Sequence, residues 1–227
     1  ACEHSDLIFA ISEHTKKDII KFYGIEESKV KVVYQTCHSI FQNELQIVDN
    51  QDDIEDEVKL AGNFKLPANF LLYVGSIIPR KNLLGCVKAL ELLPNDLKIP
   101  LLVVGDGKKN KQEVQKYITK KGLEKWVIFC PKVNLDELKT LYQNAKVLLY
   151  PSFYEGFGLP IIEALFSKTP VISSNISSLP EAGGAGAYYI NPKSEEEIAL
   201  GIEKLLADSH LYKSLVKNEL AHVQQFK

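Results

Sequence analysis

Two glutamates that bracket a glycine-containing segment give this chain its clearest chemical signal. The segment reads Glu155-Gly156-Phe157-Gly158-Leu159-Pro160-Ile161-Ile162-Glu163. Proline is favoured in the first turn of a helix, where its missing N–H costs nothing, so we expect a loop that becomes a helix at Pro160. The backbone N–H groups of residues 157–159 would then point out of a helix N-terminus, a favourable place for anionic oxygens. One carboxylate on the loop and one in the helix predict a site for a phosphorylated, polyhydroxylated ligand.

A pair of cations follows the first predicted strand of the same region. Arg80 and Lys81 end the segment Gly75-Ser76-Ile77-Ile78-Pro79-Arg80-Lys81, in which Gly75 allows a tight turn. Arginine binds two oxygens of a planar anion and lysine acts as a compact point charge, so the pair suits a diphosphate. Charge clusters at the start of a helix are also common on solvated surfaces. The functional interpretation is favoured because the pair accompanies the two glutamates.

Three further loops carry weaker signals. Cys130-Pro131-Lys132-Val133 follows a predicted strand, so Lys132 and Val133 could line a slot for a nucleotide base. Gly105-Asp106-Gly107 is typical of a turn, and residues 177–184 fit either a mobile loop over a ligand or a plain connector. Paired carboxylates also occur in glycoside hydrolases. The phosphate-binding N–H groups that lie between these two carboxylates favour a nucleotide instead.

Composition and spacing predict neither a metal ion nor a cofactor. The chain has no Asp-x-Asp pair that could bridge a divalent ion to a diphosphate, and its five histidines lack metal-ligand spacing. Its four cysteines are widely separated, which is typical of reduced structural thiols. A net charge of −2 favours no nucleic-acid partner, and no segment reads as a membrane span or signal peptide. We expect a cytoplasmic protein, with a peripheral position at the inner membrane face as an option.

The candidate residues all follow short apolar segments that predict β-strands. Predicted helices alternate with these strands and lie at 83–93, 111–120, 135–144, 160–166 and 194–207. The predicted strands are 70–74, 101–104, 127–129, 147–150, 171–173 and 187–190. This alternation predicts an α/β fold, a Rossmann-like parallel sheet with helices on both faces. Ligands of such sheets bind beyond the carboxyl ends of the strands, where every candidate loop lies.

The ordered series of motifs resembles the carboxyl-terminal lobe of the family 4 retaining glycosyltransferases (glycosyl transferases group 1), which have the two-lobed GT-B fold. The resemblance covers residues 67–210, which would form the nucleotide-sugar-binding lobe. Residues 1–41 resemble the end of the amino-terminal, acceptor-binding lobe, and 42–66 read as a linker. Residues 211–227 resemble the start of the helix that crosses back to the first lobe.

The resemblance implies a role for each candidate residue. Arg80, Lys81 and Glu155 would be catalytic, with the two cations on the donor diphosphate and Glu155 on the donor sugar, while Glu163 would hydrogen-bond the ribose. Many members carry an arginine directly after the first-strand glycine, but Ser76 stands there in this chain and leaves that role to Arg80. The remaining donor contacts would come from Gly75, Lys132, Val133, Phe157, Gly158 and Leu159.

The resemblance also implies a reaction and its partners. A sugar of mannosyl type would pass with retention from a nucleotide diphosphate-sugar to a hydroxyl of a glycan or lipid-linked acceptor, in polysaccharide or glycoconjugate synthesis. Most of the amino-terminal lobe would be absent, so we expect little or no transfer by this chain alone. Three alternatives stay open: a non-catalytic nucleotide-sugar-binding module, a hydrolase or epimerase of the same fold, and an ordinary doubly wound domain with solvated glutamates.

Overall fold

A computed structural model describes residues 2–42, 59–60 and 64–226 of the chain. The first of these ranges opens with a small β-α-β unit. Its two parallel strands, β1 (Ile8–Ala10) and β2 (Val30–Val32), are joined by α1 (Glu13–Tyr23). Ser12 caps α1 by accepting a hydrogen bond from the Thr15 N–H, and Gly24 ends it at φ 62°, in the left-handed region.

Three short elements lead from this unit to the main sheet. They are α2 (Ser39–Gln42) and the antiparallel strands β3 (Lys59–Leu60) and β4 (Phe64–Lys65). Phe41 of α2 is buried in the core of the main unit, so the chain is already anchored there at the predicted boundary between 41 and 42. The predicted domain boundaries stay predictions. Most of the predicted linker lies outside the described residues.

A six-stranded sheet forms the centre of the main unit, and every neighbouring pair of strands in it is parallel. Its strands lie in the order β10-β9-β8-β5-β6-β7. They are β5 (Leu71–Val74), β6 (Leu101–Val104), β7 (Val127–Phe129), β8 (Val147–Tyr150), β9 (Val171–Ser174) and β10 (Ala187–Ile190). The predicted Rossmann-like parallel sheet is therefore confirmed. The chain builds outward from β5 to β7 and then continues on the other side of β5, which opens a crevice beyond the carboxyl ends of β5 and β8.

Helices cover both faces of this sheet, because successive strand residues point to opposite sides. Leu71 and Tyr73 pack in one hydrophobic cluster, and Leu72 and Val74 pack in another on the opposite face. Burying one such apolar side chain contributes about 1.5–3 kcal/mol. The helices are α3 (Leu83–Leu92), α4 (Lys108–Lys121), α5 (Leu135–Asn144), α6 (Leu159–Phe166), α7 (Leu179–Gly183), α8 (Glu195–Ala207) and α9 (Ser209–His222).

Two predicted segments differ from the structure. The loop expected over 177–184 contains the short helix α7, which begins with a proline in its first turn. The segment predicted to start at 211 begins earlier, because Asp208 caps α9 by accepting from the N–H groups of His210 and Leu211. None of the helices in the described ranges combines the length and hydrophobicity that crossing a bilayer requires.

Candidate active site at the switch point of the sheet

The crevice between β5 and β8 brings the predicted cations and one predicted carboxylate together. Arg80 and Lys81 follow β5 and Glu155 follows β8. The Nη1 atom of Arg80 lies 2.6 Å from Glu155 Oε2, and Lys81 Nζ lies 3.3 Å from Glu155 Oε1. The two loops are also joined through their backbones, because the Phe153 N–H donates to the Arg80 carbonyl at 2.8 Å. Side chains separated by more than seventy positions in sequence thus form one charged cluster.

Two hydroxyl groups complete this cluster. The Tyr150 hydroxyl accepts from Lys81 Nζ at 2.8 Å and donates to Glu155 Oε1 at 3.1 Å. Ser152 Oγ donates to the same carboxylate oxygen at 3.1 Å. Burial alone would raise the pKa of Glu155, but the hydrogen bond from Arg80 and the charges of Lys81 and Arg80 outweigh it and leave that pKa below its ordinary value. Glu155 is therefore a carboxylate at neutral pH.

The backbone after β5 explains how the two cations reach this place. Residues 79–81 form a single 3₁₀ turn, which Asn82 ends at φ 57°. Asn82 is buried, and its side-chain amide donates to the Pro192 carbonyl at 2.8 Å, which fixes the end of the turn. Gly75 has φ 144°, and a Cβ there would lie 3.0 Å from Lys81 Nζ. Glycine at position 75 thus leaves the space that the Lys81 side chain occupies.

The second predicted carboxylate has separate surroundings. Glu163 lies on α6 and accepts a 2.8 Å hydrogen bond from the Tyr142 hydroxyl, which comes from α5. Burial raises the pKa of Glu163, and the hydrogen bond from Tyr142 offsets only part of that rise. The two glutamates that are eight positions apart therefore differ in character, since Glu155 is paired with cations and Glu163 with a neutral phenol.

Between these glutamates the chain forms the predicted loop and then α6, which begins at Leu159, one residue before the predicted start at Pro160. Gly158 is the N-cap of α6 at φ 118°, and a Cβ there would meet the Leu179 side chain at 3.1 Å. Phe157 is buried, and Leu159 is the first helical residue. The first N–H groups of a helix have no partner within it, so the N-terminus of α6, which follows Glu155 closely in sequence, has donors for an anion.

Lys132 and Val133 lie at a different part of the same sheet edge. They line a cavity of about 590 Å³ beyond β6 and β7, within the size range of small-molecule sites. Gly105 and Asp106 of the Gly105-Asp106-Gly107 turn form part of its wall. A Cβ at Gly105 would lie 1.9 Å from the Gly75 carbonyl oxygen, so this glycine allows the close approach of two strand ends. This contact agrees with the structural interpretation of that turn, which stays a prediction.

Sequence reasoning missed the tyrosines and serines that hold the two glutamates. Tyr142 and Tyr150 are both buried. Their hydroxyl groups acquire a role only through partners on other elements. Ser177 and Ser178 were considered only as part of a loop, yet both donate to the Glu155 carbonyl oxygen, Ser178 at 2.8 Å. Within the described ranges, no group of three or more His, Cys, Asp or Glu side chains is arranged to hold a metal ion.

Known proteins similar to this chain agree with this architecture. The chain is 28% identical over 228 residues to O-antigen chain mannosyltransferase B of Escherichia coli, covering 99% of this chain and 58% of that protein. It is 30% identical over 228 residues to the serotype-specific mannosyltransferase WbdA of the same species, covering 99% of this chain and 27% of that protein. The chain thus spans little more than half of one of these relatives and about a quarter of the other.

Solved structures share the fold at lower sequence identity. The crystal structure of HepE from Anabaena in complex with UDP and glucose superposes with a TM-score of 0.81 at 21% identity, covering 99% of this chain and 60% of that one. The sequence profile of the family described as "Glycosyl transferases group 1" matches residues 55–221, which include both glutamates, both cations and the cavity beyond β6 and β7. This chain therefore belongs to the glycosyl transferases group 1 family and is a glycosyltransferase domain of GT-B type.

Proposed function

We propose that this domain binds a nucleotide diphosphate-sugar in the crevice between β5 and β8 and supports transfer of the sugar, with retention, to an acceptor hydroxyl. The contact of Arg80 and Lys81 with Glu155 carries this proposal. A charged cluster at the switch point of a parallel sheet is where such folds bind their ligands. Beside it lies the N-terminus of α6, whose amides favour phosphate oxygens.

The two cations would act differently on the donor. The Arg80 side chain is 41% exposed, whereas those of Lys81 and Glu155 are 14% and 10% exposed. Arginine has five N–H donors, so Arg80 can keep its contact with Glu155 and still bind a diphosphate from the open side. Lys81 would contribute mainly as a largely buried positive charge next to Arg80.

Charge development explains why this arrangement would promote transfer. The bond between the anomeric carbon and the diphosphate oxygen breaks, and its electron pair leaves with the diphosphate. The anomeric carbon gains positive character and forms a new bond to the acceptor oxygen, whose proton passes to an oxygen of the leaving diphosphate. Fixed cations and amides near the diphosphate stabilise the leaving charge without reorganising, which is the effect that preorganised sites provide. Glu155 would orient the sugar and stabilise its positive character, and we propose that no metal ion is needed.

The roles of the remaining predicted residues complete the donor site. We propose that Glu163 accepts hydrogen bonds from the ribose hydroxyls and that the cavity lined by Lys132 and Val133 takes the base. The residues Phe157, Gly158 and Leu159 would present their amides to the distal phosphate, and Gly75 would keep the space for Lys81.

The proposal also includes the identity of the donor sugar. The relatives named as O-antigen or serotype-specific mannosyltransferases support a mannosyl donor. The HepE complex with UDP and glucose supports a nucleotide-sugar donor in general. Because the chain spans only part of these relatives, we propose that the acceptor is bound by residues outside it and that it transfers little sugar alone. A cytoplasmic location, at the inner face of the membrane, is part of the same proposal.

Calorimetry on the chain itself tests the donor site. We expect UDP, GDP or ADP, and the corresponding diphosphate-sugars, to bind, with one base clearly preferred. Lys81→Ala should weaken that binding, whereas Lys120→Ala, which removes an exposed lysine from α4, should leave it unchanged. Absence of binding to all three nucleotides, or equal affinity of both variants for the preferred one, would contradict the proposal.

A further inference from the structure

Glu181 on α7 holds the N-terminus of α1, although 167 and 168 positions separate it from the residues it binds. Its Oε2 atom accepts from the Glu13 N–H at 2.7 Å, and its Oε1 atom accepts from the His14 N–H at 2.8 Å. The first N–H groups of a helix have no partner within it and carry partial positive charge. The Glu181 carboxylate binds two of these N–H groups, and the two hydrogen bonds are strong because they are charge-assisted.

The start of α1 in turn holds the loop that carries Glu155. The hydroxyl groups of Ser12 and Thr15 both donate to the Gly156 carbonyl oxygen, at 2.8 and 3.1 Å. Ser12 is fully buried at this contact. The Ile11 side chain closes the same place, since a Cβ at Gly156 would lie 3.0 Å from its Cδ1 atom. The residue directly after Glu155 is thus fixed by α1.

The helix that carries Glu181 holds the same loop from the other side. The Ser178 hydroxyl, at the start of α7, lies 2.8 and 3.2 Å from the carbonyl oxygens of Glu155 and Phe157 and shares its one proton between them. The start of α7 therefore binds the carbonyl groups of Glu155 and Phe157, and the start of α1 binds the carbonyl group of Gly156 between them. The other end of α7 is also fixed, because His222 Nε2 lies 3.1 Å from the carbonyl oxygens of both Glu181 and Ala182.

We infer that Glu181 is a positioning residue, which docks α1 against α7 and thereby fixes residues 155–157 between the two helices. The loop contains glycine at positions 156 and 158, so without these contacts it would have high conformational entropy. Ordering it beforehand lowers the entropy that a ligand must supply on binding. The effect on the donor rests on the proposed function, whereas the ordering of the loop does not.

Hydrogen–deuterium exchange on this chain with Glu181→Gln tests the inference directly. Glutamine has nearly the same shape, but its side-chain NH₂ would face one of the two helix N–H groups that the carboxylate accepts from. We expect the amides of residues 13–14 and of Glu155, whose N–H donates to Ser177 Oγ at 3.1 Å, to exchange roughly 10-fold faster, since the hydrogen bonds to a charged group that order this region are lost. Donor affinity should fall by a smaller factor, roughly 3- to 10-fold, while the melting temperature changes little.

Two further variants make the test selective. Glu197→Gln is the control: Glu197 on α8 accepts the Asn191 N–H at 2.8 Å, and its loss should leave exchange of the Glu155 amide unaffected. Thr15→Val keeps the Ser12 cap of α1 and the Glu181 contacts but loses one of the two donors to Gly156, so it should speed exchange of the Glu155 amide in the same direction as Glu181→Gln, by a smaller factor.

The outcomes separate this inference from the proposed function. If Glu181→Gln accelerates exchange in α1 but leaves the Glu155 amide unchanged, Glu181 does not position the loop. Unchanged donor affinity in that variant, with the unmodified chain binding normally, would also overturn the inference. If the unmodified chain binds no nucleotide, the proposed function fails, and the exchange of the loop amides still decides whether Glu181 positions it.

Discussion

The Tyr142 hydroxyl donates a 2.8 Å hydrogen bond to Glu163, the one glutamate of the motif that no cation contacts among the described residues. Glu155, by contrast, lies against Arg80 and Lys81. Their surroundings shift the pKa values of the two carboxyl groups in opposite directions, which is typical of acidic pairs that have different functions. A neutral phenol agrees with the role that we propose for Glu163, which is to accept hydrogen bonds from the ribose hydroxyls.

Removing that phenol should destabilise the protein. Tyr142→Phe leaves a mostly buried carboxylate without its donor, so we expect a loss of about 1–3 kcal/mol in the free energy of unfolding at neutral pH. The hydrogen bond lowers the pKa of Glu163, so its loss should raise that pKa further. Urea titration measures the first effect. Tyr117→Phe is the matched control, because its hydroxyl binds Glu91 at 2.7 Å on the surface, and an equal loss there would contradict the expectation.

Lys81, whose side chain is largely buried, should affect turnover more than folding. In the full-length enzyme, Lys81→Ala removes one preorganised positive charge from the leaving diphosphate, an effect worth about 2.7–4 kcal/mol for comparable donors. We therefore expect turnover to fall roughly 100- to 1,000-fold. Lys120→Ala serves as the control, and radiolabelled sugar transfer is the measurement. An undiminished rate for Lys81→Ala would exclude its role at the diphosphate.

Chelation should have no effect on transfer. If Arg80, Lys81 and the α6 amides neutralise the diphosphate, the full-length enzyme should transfer sugar equally well with and without excess EDTA. The rate is measured after dialysis against chelator and again after addition of Mg²⁺ or Mn²⁺. Loss of activity with EDTA that either ion restores would show that the proposed neutralisation by side chains is insufficient.

A buried acid on α9 should make stability depend on pH. Glu219 is fully buried, and neither of its oxygens has a hydrogen-bond partner among the described residues. Burial raises its pKa well above the ordinary value. A raised carboxyl pKa means that the folded state holds the proton more tightly than the unfolded state does. The resulting stability is complete below the unfolded pKa and is lost as the pH rises through the folded one.

Glu219→Gln tests this directly, because glutamine keeps the shape and cannot ionise. Denaturant unfolding of both proteins at pH 5 and pH 8 is the measurement. We expect the unmodified protein to lose stability between these values and the variant to lose less, so that the variant gains relative stability at pH 8. The same pH dependence in both proteins would assign the effect to another group.

Local sequence features predicted the sheet well because each strand is a continuous apolar segment. The bounds predicted for β6, β7, β8 and β10 agree with the structure. The start of α4 was placed three residues late, at 111 instead of Lys108. Its first turn is basic and lacks a capping side chain, so nothing in the sequence marks where the helix begins.

The amino-acid sequence by itself determined the parallel sheet, the loop-to-helix turn at Gly158 and the residue types that could hold a phosphorylated sugar, because apolar periodicity, glycine and proline act locally. Only the tertiary structure decided which side chains meet. Tyr150 joins Lys81 to Glu155, and Glu181 binds α1, because β5 and β8 are neighbours and α7 lies beside the start of α1. Such contacts depend on chain segments far apart in sequence, and no local pattern encodes their distance or direction.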